Sequence, residues 1–333
     1  FHGQYQGLFY RAGYMAGNAE QLKSKDVNAS ATYVGNYVRD SNRDKQSYMG
    51  SFGYKWDKGH ISLSGDRYEN TSGTVRITER ERHSYKLDSS ITDLLPYMSR
   101  LTVSLGYTDE NKNTMETTGP TGSFPSFTDT DTYSALLATE WLFGSHYISA
   151  GIDATHNETS DGRTGTTPRK LEAEMTSISL YLQDEWALLD ELSLTLGGRY
   201  GKFDKELTSS TIGATPSPRD EGRFTFSVGT VYKGIDNLSL RASYAQGYNM
   251  PTVYQMFIGA GTIFKANPDL VPEKSHQVEL GAMYTKNGLS LDFAVYASDA
   301  KDYISLYQTG VMAYEYLNVS SARTYGAELQ AEY

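Results

Sequence analysis

The chain has 333 residues, no cysteine and a formal net charge of −10 at pH 7. The missing cysteines exclude a disulfide framework and a Cys-ligated metal site, and the acidic balance disfavours nucleic acid as a partner. No run of 18 apolar residues is present, which excludes a transmembrane helix but leaves membrane strands open, since these face lipid only with every second residue. The first residues lack the basic and apolar regions of a signal peptide, so we expect a mature or excised segment.

Strand-like segments alternate with two kinds of connection along the chain. Short turns join them on one side, near residues 57–59, 93–97, 144–145, 189–191, 234–237 and 286–288. Long polar segments join them on the other side, at 109–129, 157–170, 207–221 and 249–271. This sidedness is typical of outer-membrane β-barrels, in which the short turns face the periplasm.

The strand-like segments alternate in polarity with a period of two. Apolar side chains occupy one parity of 192–200, 223–232 and 289–295, and small or polar side chains occupy the other. A half-buried soluble sheet and a lipid-facing barrel wall both give this pattern. The positions of the aromatic and charged residues distinguish the two.

Aromatic residues gather at the strand ends. Next to the short turns lie Trp56, Trp141, Trp186, Tyr232 and Tyr284. Towards the opposite ends lie Tyr68, Tyr107, Tyr200 and Tyr244. Amphipathic rings settle at the depth of lipid headgroups, so two aromatic bands around an aliphatic middle favour a membrane barrel over a soluble sandwich or propeller.

The charged residues Asp153, Arg199, Arg241, Glu279 and Asp292 fall on the polar parity of their strands. A charge on the lipid face near the membrane midplane would cost roughly 2–4 kcal/mol. Asp184 shares the parity of Leu182 and Trp186 and is the exception, but it lies close to a short turn, where the cost falls to about 0–1 kcal/mol.

The turns predict about fifteen strands, the first descending through 5–16 and the last descending through 317–333. An odd, unclosed set would leave unpaired backbone groups in hydrocarbon at both edges. We therefore predict an all-β fold, a transmembrane antiparallel β-barrel, of which this chain supplies a portion.

The most specific pattern lies in residues 238–284, between two strand-like runs. Gly247-Tyr-Asn-Met-Pro-Thr-Val-Tyr-Gln-Met-Phe257 is followed by Asn267-Pro-Asp-Leu-Val-Pro-Glu-Lys-Ser275. The pair resembles the signature of TonB-dependent outer-membrane receptors, although Tyr248-Asn-Met250 replaces the family's usual aromatic-Arg-Ala before the proline.

Three further segments resemble barrel motifs of the same family. They are Gln183-Asp-Glu-Trp186, Gly198-Arg-Tyr200 and Tyr316-Leu-Asn-Val-Ser-Ser-Ala-Arg-Thr-Tyr-Gly-Ala-Glu328. The resemblance implies a barrel of about 22 strands filled by a plug. Residues 1–333 would be a partial barrel domain with about strands two to sixteen, and the plug with its TonB box would lie outside this chain.

The resemblance also suggests roles for single residues. Structural roles are expected for Pro251, Asn267, Pro268, Asp269, Leu270, Pro272, Glu273 and Gly326, since Pro fixes φ and Asn and Asp bond their own backbone. Ligand contact is predicted for Tyr248, Asn249, Tyr254, Gln255, Phe257, Phe264 and Lys265. The aromatic members of this set form either a rim for a large ligand or the packing of the loop itself.

The implied function is active transport across the outer membrane, with short turns periplasmic and long loops extracellular. A scarce iron chelate, first a ferric siderophore, would bind the loops, and the TonB complex would act through the plug. Iron would arrive with the ligand, so no resident cofactor is expected. Outer-membrane lipid and lipopolysaccharide would surround the barrel.

Other ligands and classes stay open. Ala300-Lys-Asp-Tyr-Ile304 resembles a stretch of haem receptors, although 250–271 lacks the histidine that such receptors place there. Cobalamin is a further alternative, and a passive porin-like or adhesin barrel belongs to a different class. No nucleophile motif such as Gly-x-Ser-x-Gly is present, and the nearby His156, Asp153 and Glu158 are interpreted as lumen and loop polarity, so neither catalytic nor metal-binding residues are predicted.

Overall fold

We analysed a computed structural model, which describes residues 1–21, 33–34, 37–38, 41–73, 76–116, 125–164, 168–211, 219–258, 264–311 and 313–333. The strands are β1 (His2–Tyr5), β2 (Leu8–Ala19), β3 (Tyr33–Val34), β4 (Tyr37–Val38), β5 (Arg43–Trp56), β6 (Gly59–Ser72), β7 (Arg76–Thr92), β8 (Met98–Glu116), β9 (Ser126–Phe143), β10 (His146–Arg163), β11 (Arg169–Leu189), β12 (Leu192–Ser210), β13 (Arg219–Ile235), β14 (Leu238–Asn249), β15 (Phe264–Lys265), β16 (Glu273–Lys286), β17 (Leu289–Gly310) and β18 (Ala313–Glu332). A single π-helical turn spans Tyr254–Ile258. No helix in the described ranges is long and apolar enough to cross a membrane.

Sixteen of the strands form one sheet. Its order is β1-β2-β5-β6-β7-β8-β9-β10-β11-β12-β13-β14-β16-β17-β18-β15, and β3 and β4 pair separately. All neighbours in the large sheet are antiparallel except β15, which pairs with β18 in parallel through Phe264 and Tyr314. The chain therefore runs as a long up-and-down series, as the alternation of short turns and long loops predicts.

The start of the series differs from the predicted strand through 5–16. The chain turns sharply at Gln6 and Gly7, which have φ of 47° and 86°, and these values are typical of a two-residue hairpin. Strand β2 then leaves the short-turn side, with Leu8 opposite Tyr54. The predicted descending direction is wrong, because β2 pairs directly with the descending β5. Of the sixteen described strands in the large sheet, only β15 is parallel to its neighbour. The antiparallel series, counted with the short β1, therefore has fifteen strands, which is the predicted number.

The side chains alternate between two faces, as predicted. On β11, Leu180 and Leu182 are 55% and 57% exposed, whereas Ser179 is 2% exposed. We call the face of Leu180 and Leu182, and its continuation on the paired strands, the apolar face. The opposite one is the polar face.

Charges predicted for the polar face meet there as ion pairs. Arg199 Nη2 lies 2.8 and 2.7 Å from the two carboxylate oxygens of Asp153. Arg241 reaches Asp292 at 2.8 Å and Glu279 at 3.3 Å. The polar face therefore neutralises much of its own charge between neighbouring strands.

The aromatic bands are confirmed with one exception. On the apolar face, away from the short turns, Tyr107 lies 6.5 Å from Tyr85 and 5.1 Å from Tyr133, measured between ring centroids. Tyr68 was predicted for this band, but its parity on β6 places it on the polar face, where Arg82 lies 5.7 Å from its ring centroid. The position of an aromatic residue along a strand predicts its depth in the membrane. The face on which its ring lies depends instead on parity, and Tyr68 has the parity of Ser62 and Ser64.

Asp184, the exception among the predicted charges, has a partner on the same face. Its Oδ2 lies 2.8 Å from Nδ1 of His146 on β10. The His146 ring also stacks on Trp186 at 5.1 Å. A hydrogen-bonded pair beside a short turn and next to tryptophan explains how a carboxylate is tolerated on the apolar face.

The hydrophobic core lies on the polar face, at the long-loop end of the sheet. We call the chain between β14 and β16 the inward-folded segment, of which residues 250–258 and 264–272 are described. Its first part folds back over β11 and β12 and buries Val253, Met256, Phe257 and Ile258. Their neighbours in the cluster are Leu171, Ala173, Leu207, Leu270 and Ile304. Packing concentrated at this end fixes one loop against the inner surface of the sheet.

Candidate ligand-binding site

The inward-folded segment begins with a capping box around the π-helical turn. The backbone N–H of Thr252 donates to Gln255 Oε1 at 2.8 Å, and the N–H of Gln255 donates to Thr252 Oγ1 at 3.2 Å. This reciprocal pair satisfies two donors that a helix start would otherwise leave free. Gln255, predicted to contact ligand, therefore serves the local backbone.

Three cationic side chains fix the same segment from neighbouring strands. Lys205, 3% exposed, donates to the carbonyl oxygen of Pro251. Arg169 donates to the carbonyl of Ile258 at 3.3 Å, and Arg219 donates to that of Leu270 at 2.8 Å. Each carbonyl is thus met by a charged donor, which makes a stronger hydrogen bond than a neutral one.

The second half of the signature returns the chain to the sheet. Asn267 Oδ1 accepts the N–H of Asp269 at 2.9 Å across Pro268, so the side chain bonds its own backbone as expected. Asn267 Nδ2 donates to the carbonyl of Tyr316 at 2.8 Å. Leu270 and Pro272 are among the most deeply buried residues. These contacts fit the structural roles suggested by the sequence.

Glu273 joins both halves of the signature to β17. One carboxylate oxygen accepts the N–H of Ile304 at 2.7 Å, and the other accepts Asn249 Nδ2 at 2.9 Å. Gly326 lies on β18 opposite Tyr296, where a Cβ atom would stand 2.6 Å from the phenol oxygen. A larger residue at this position would have to displace the Tyr296 ring.

Between the inward-folded segment and the sheet lies a cavity of about 690 Å³. One wall presents hydroxyl and amide groups from β9, β10 and β11: Thr128, Thr130, Asn157, Thr159, Ser177 and Ser179. Larger side chains line the rest of the cavity: Met175, Phe203, Tyr248, Tyr254 and Ile258. A cavity that combines apolar side chains with a few hydrogen-bonding groups is typical of a small-molecule site.

Of the residues predicted to contact ligand, Tyr248, Asn249 and Tyr254 line this cavity, and their contact with a ligand stays a prediction. The Tyr248 ring packs edge-on against Phe203 at 5.5 Å, and Tyr254 is 37% exposed. Partial burial raises the pKa of the Tyr254 phenol, which keeps it an uncharged hydrogen-bond donor.

The other predicted contact residues lie elsewhere. Phe257 is 6% exposed inside the hydrophobic cluster, which fits the alternative of loop packing. Phe264 and Lys265 form β15 beside β18, where Lys265 is exposed and the Phe264 side chain lies outside what the structure describes.

Comparison with known proteins identifies the family. Residues 18–333 match the family model described as "TonB dependent receptor-like, beta-barrel". The chain belongs to the TonB-dependent receptors. The sheet is therefore part of a β-barrel of the outer membrane, with its apolar face towards lipid and its polar face towards the lumen.

Two relatives and one solved structure illustrate the match. The "Iron-regulated outer membrane virulence protein" of Vibrio cholerae is 29% identical over 198 residues, which are 56% of this chain and 29% of that protein. The "Probable TonB-dependent siderophore receptor PiuA" of Acinetobacter baumannii is 24% identical over 164 residues, covering 47% of this chain and 22% of that protein. The structure of the "Copper transporter OprC" superimposes with a TM-score of 0.86 at 17% identity, over 99% of this chain and 55% of that one. The aligned region thus spans less than a third of each curated relative.

The hydroxyl-bearing wall was missed in the sequence, although a signal for it exists. Thr128, Thr130 and Thr132 alternate with Asp129 and Asp131, which places all three threonines on the lumen side of β9. Such a threonine series on the lumen parity marks an uncharged polar wall.

His156 and Asp153, whose metal-binding interpretation was rejected at the sequence level, lie on opposite faces of β10. Asp153 faces the lumen with Arg199. His156 faces lipid, where its ring nitrogens contact Thr176 at 2.8 Å and Glu158 at 3.2 Å. A shared metal ion is excluded by this geometry, since residues an odd number of positions apart on a strand point to opposite sides.

Proposed function

We propose that this chain is the partial barrel domain of an active transporter that binds a ferric siderophore at its extracellular side and imports it into the periplasm. The observation that supports it most is the lumen-side cavity of about 690 Å³ beneath the long loops. Its size is in the range of ordinary ligand sites, and its lining of both apolar and hydrogen-bonding side chains suits a chelate with polar oxygens and apolar arms. The iron regulation named for the Vibrio relative and the siderophore named for the Acinetobacter relative support iron as the cargo.

In this proposal the barrel binds and admits the ligand, and no covalent bond is broken. The inward-folded segment supplies Tyr248 and Tyr254, and the strands supply the hydroxyl-bearing wall. The plug, outside this chain, would close the lumen, and the TonB complex would act on it to let the chelate pass. The long loops would be extracellular and the short turns periplasmic, surrounded by outer-membrane lipid and lipopolysaccharide.

Haem is the alternative raised by the stretch Ala300–Ile304. Ile304 belongs to the hydrophobic cluster, and Asp302 contacts Lys274 at 3.4 Å. Within the described residues, none of this stretch lines the cavity. The geometry therefore gives a ferric siderophore the better support.

Equilibrium binding to the full-length, detergent-purified receptor tests the proposal, with ferric siderophores, haemin and cyanocobalamin as ligands. We expect saturable binding of a ferric siderophore and uptake of its iron only in cells with an intact TonB complex. Binding of haemin or cyanocobalamin alone would contradict the siderophore assignment. Uptake independent of TonB would instead favour a passive porin-like barrel.

A further inference from the structure

The cavity carries almost no net charge in its wall. Its two charged lining residues are Asp153 and Arg199, and they bond each other at 2.8 and 2.7 Å. A charge already held by its opposite offers little attraction to a charged ligand. The remaining described lining residues are uncharged.

Nearby cations are engaged away from the cavity. Lys205 donates to the carbonyl of Pro251, and Arg169 donates to the carbonyl of Ile258 and to Asp161 at 3.1 Å. Both side chains hold the inward-folded segment in place. Turning either towards a ligand would leave a buried carbonyl without its donor, which costs about 1–3 kcal/mol.

Resting on the proposed function, we propose that the cavity selects chelates of zero or small net charge over strongly anionic ones. In a ferric trihydroxamate, three hydroxamate anions neutralise Fe³⁺, and the amide and hydroxyl groups can bond the Thr, Ser and Asn side chains. A ferric tris-catecholate carries three negative charges. Without free cations in the wall, removing those charges from water is strongly unfavourable.

The first experiment compares two probes on the full-length receptor in detergent, ferrichrome as the neutral trihydroxamate and ferric enterobactin as the trianionic tris-catecholate. We expect the neutral chelate to bind at least about tenfold more tightly. Equal or tighter binding of the trianionic chelate would overturn the inference while leaving the transport proposal intact. Binding of neither chelate would overturn both.

The substitution Asp153→Asn tests the charge argument within the cavity. It releases Arg199 from its carboxylate, so we expect it to improve binding of the trianionic chelate relative to the neutral one by about tenfold. Asp292→Asn is the matched control, because it breaks a lumen Arg–Asp pair outside the cavity. Unchanged selectivity in a folded Asp153→Asn receptor, or the same change in both variants, would overturn the inference.

Discussion

Single side chains decide where the inward-folded segment lies. The side chain of Lys205 is buried, and its ammonium group donates to the Pro251 carbonyl. The same nitrogen lies 3.8 Å from the sulfur of Met256. Loss of such a contact is destabilising mainly because a buried acceptor without a donor carries its full desolvation cost.

Lys205→Met should therefore loosen the inward-folded segment while a side chain of similar length still fills the space of the lysine. We expect a local destabilisation of about 1–3 kcal/mol, seen as faster hydrogen exchange at the Met256 amide, which bonds the Thr252 carbonyl at 3.0 Å. Lys202→Met on the same strand is the control, since Lys202 is exposed on the opposite face. Equal exchange in both variants would mean that the ammonium does not hold the segment.

The facing of β11 can be tested with two adjacent residues. Leu182 lies on the lipid side, midway between the two aromatic bands, and Gln183 lies on the lumen side, with Gly198 and Gly197 opposite them on β12. Leu182→Arg places a charge in lipid at roughly 2–4 kcal/mol, whereas Gln183→Arg points into a wet lumen. We expect far less membrane-inserted receptor for Leu182→Arg, and equal yields would contradict the assignment.

At the scale of elements, five neighbouring strands carry a row of like charges on the lipid-side parity. Asp109, Asp131, Glu158, Glu174 and Glu206 lie directly opposite one another from β8 to β12. They lie beyond the tyrosine band, away from the short turns. Like charges placed directly opposite each other destabilise a sheet, so this row costs stability.

Removing one of the inner charges of this row should raise stability. Glu174→Gln relieves repulsion from both neighbours, and we expect a gain of roughly 0.2–1 kcal/mol in thermal unfolding at low salt, diminishing at high salt. Glu185→Gln on the same strand is the control, because Tyr147 and Thr195 stand opposite it. A gain that is independent of salt would show that repulsion is not the cause.

The sequence predicts the strands well because a period of two is a local property. It fails at 5–16, where the hairpin at Gln6 and Gly7 reverses the direction without interrupting the alternation. It also fails to separate the two roles of the aromatic loop residues. Tyr254 and Phe257 are both aromatic residues of the same loop, but only Phe257 belongs to the cluster with Leu171 and Leu207. That packing depends on strands far away in the chain.

At the scale of the whole molecule, two surfaces with different demands share every strand. The lipid side needs apolar side chains and aromatic ends, and the lumen side needs paired charges and hydroxyl groups. Because side chains alternate between the two faces, one strand sequence can meet the demands of both lipid and lumen. The mean composition of the chain therefore resembles that of a polar soluble protein. In the proposed function, the loops at one end carry the binding chemistry on a rigid wall.

The orientation of the molecule can be tested at the two ends of β10. Ser145 lies in a short turn before the strand, and Thr164 follows it on the long-loop side, both exposed. These 333 residues contain no cysteine, so Ser145→Cys and Thr164→Cys each add one labelling site to them, and the unsubstituted receptor supplies the background. In intact cells we expect a membrane-impermeant maleimide to label Thr164→Cys, and to label Ser145→Cys only after permeabilisation. The reverse pattern would invert the proposed orientation, and equal labelling of both in intact cells would show that β10 does not cross the membrane.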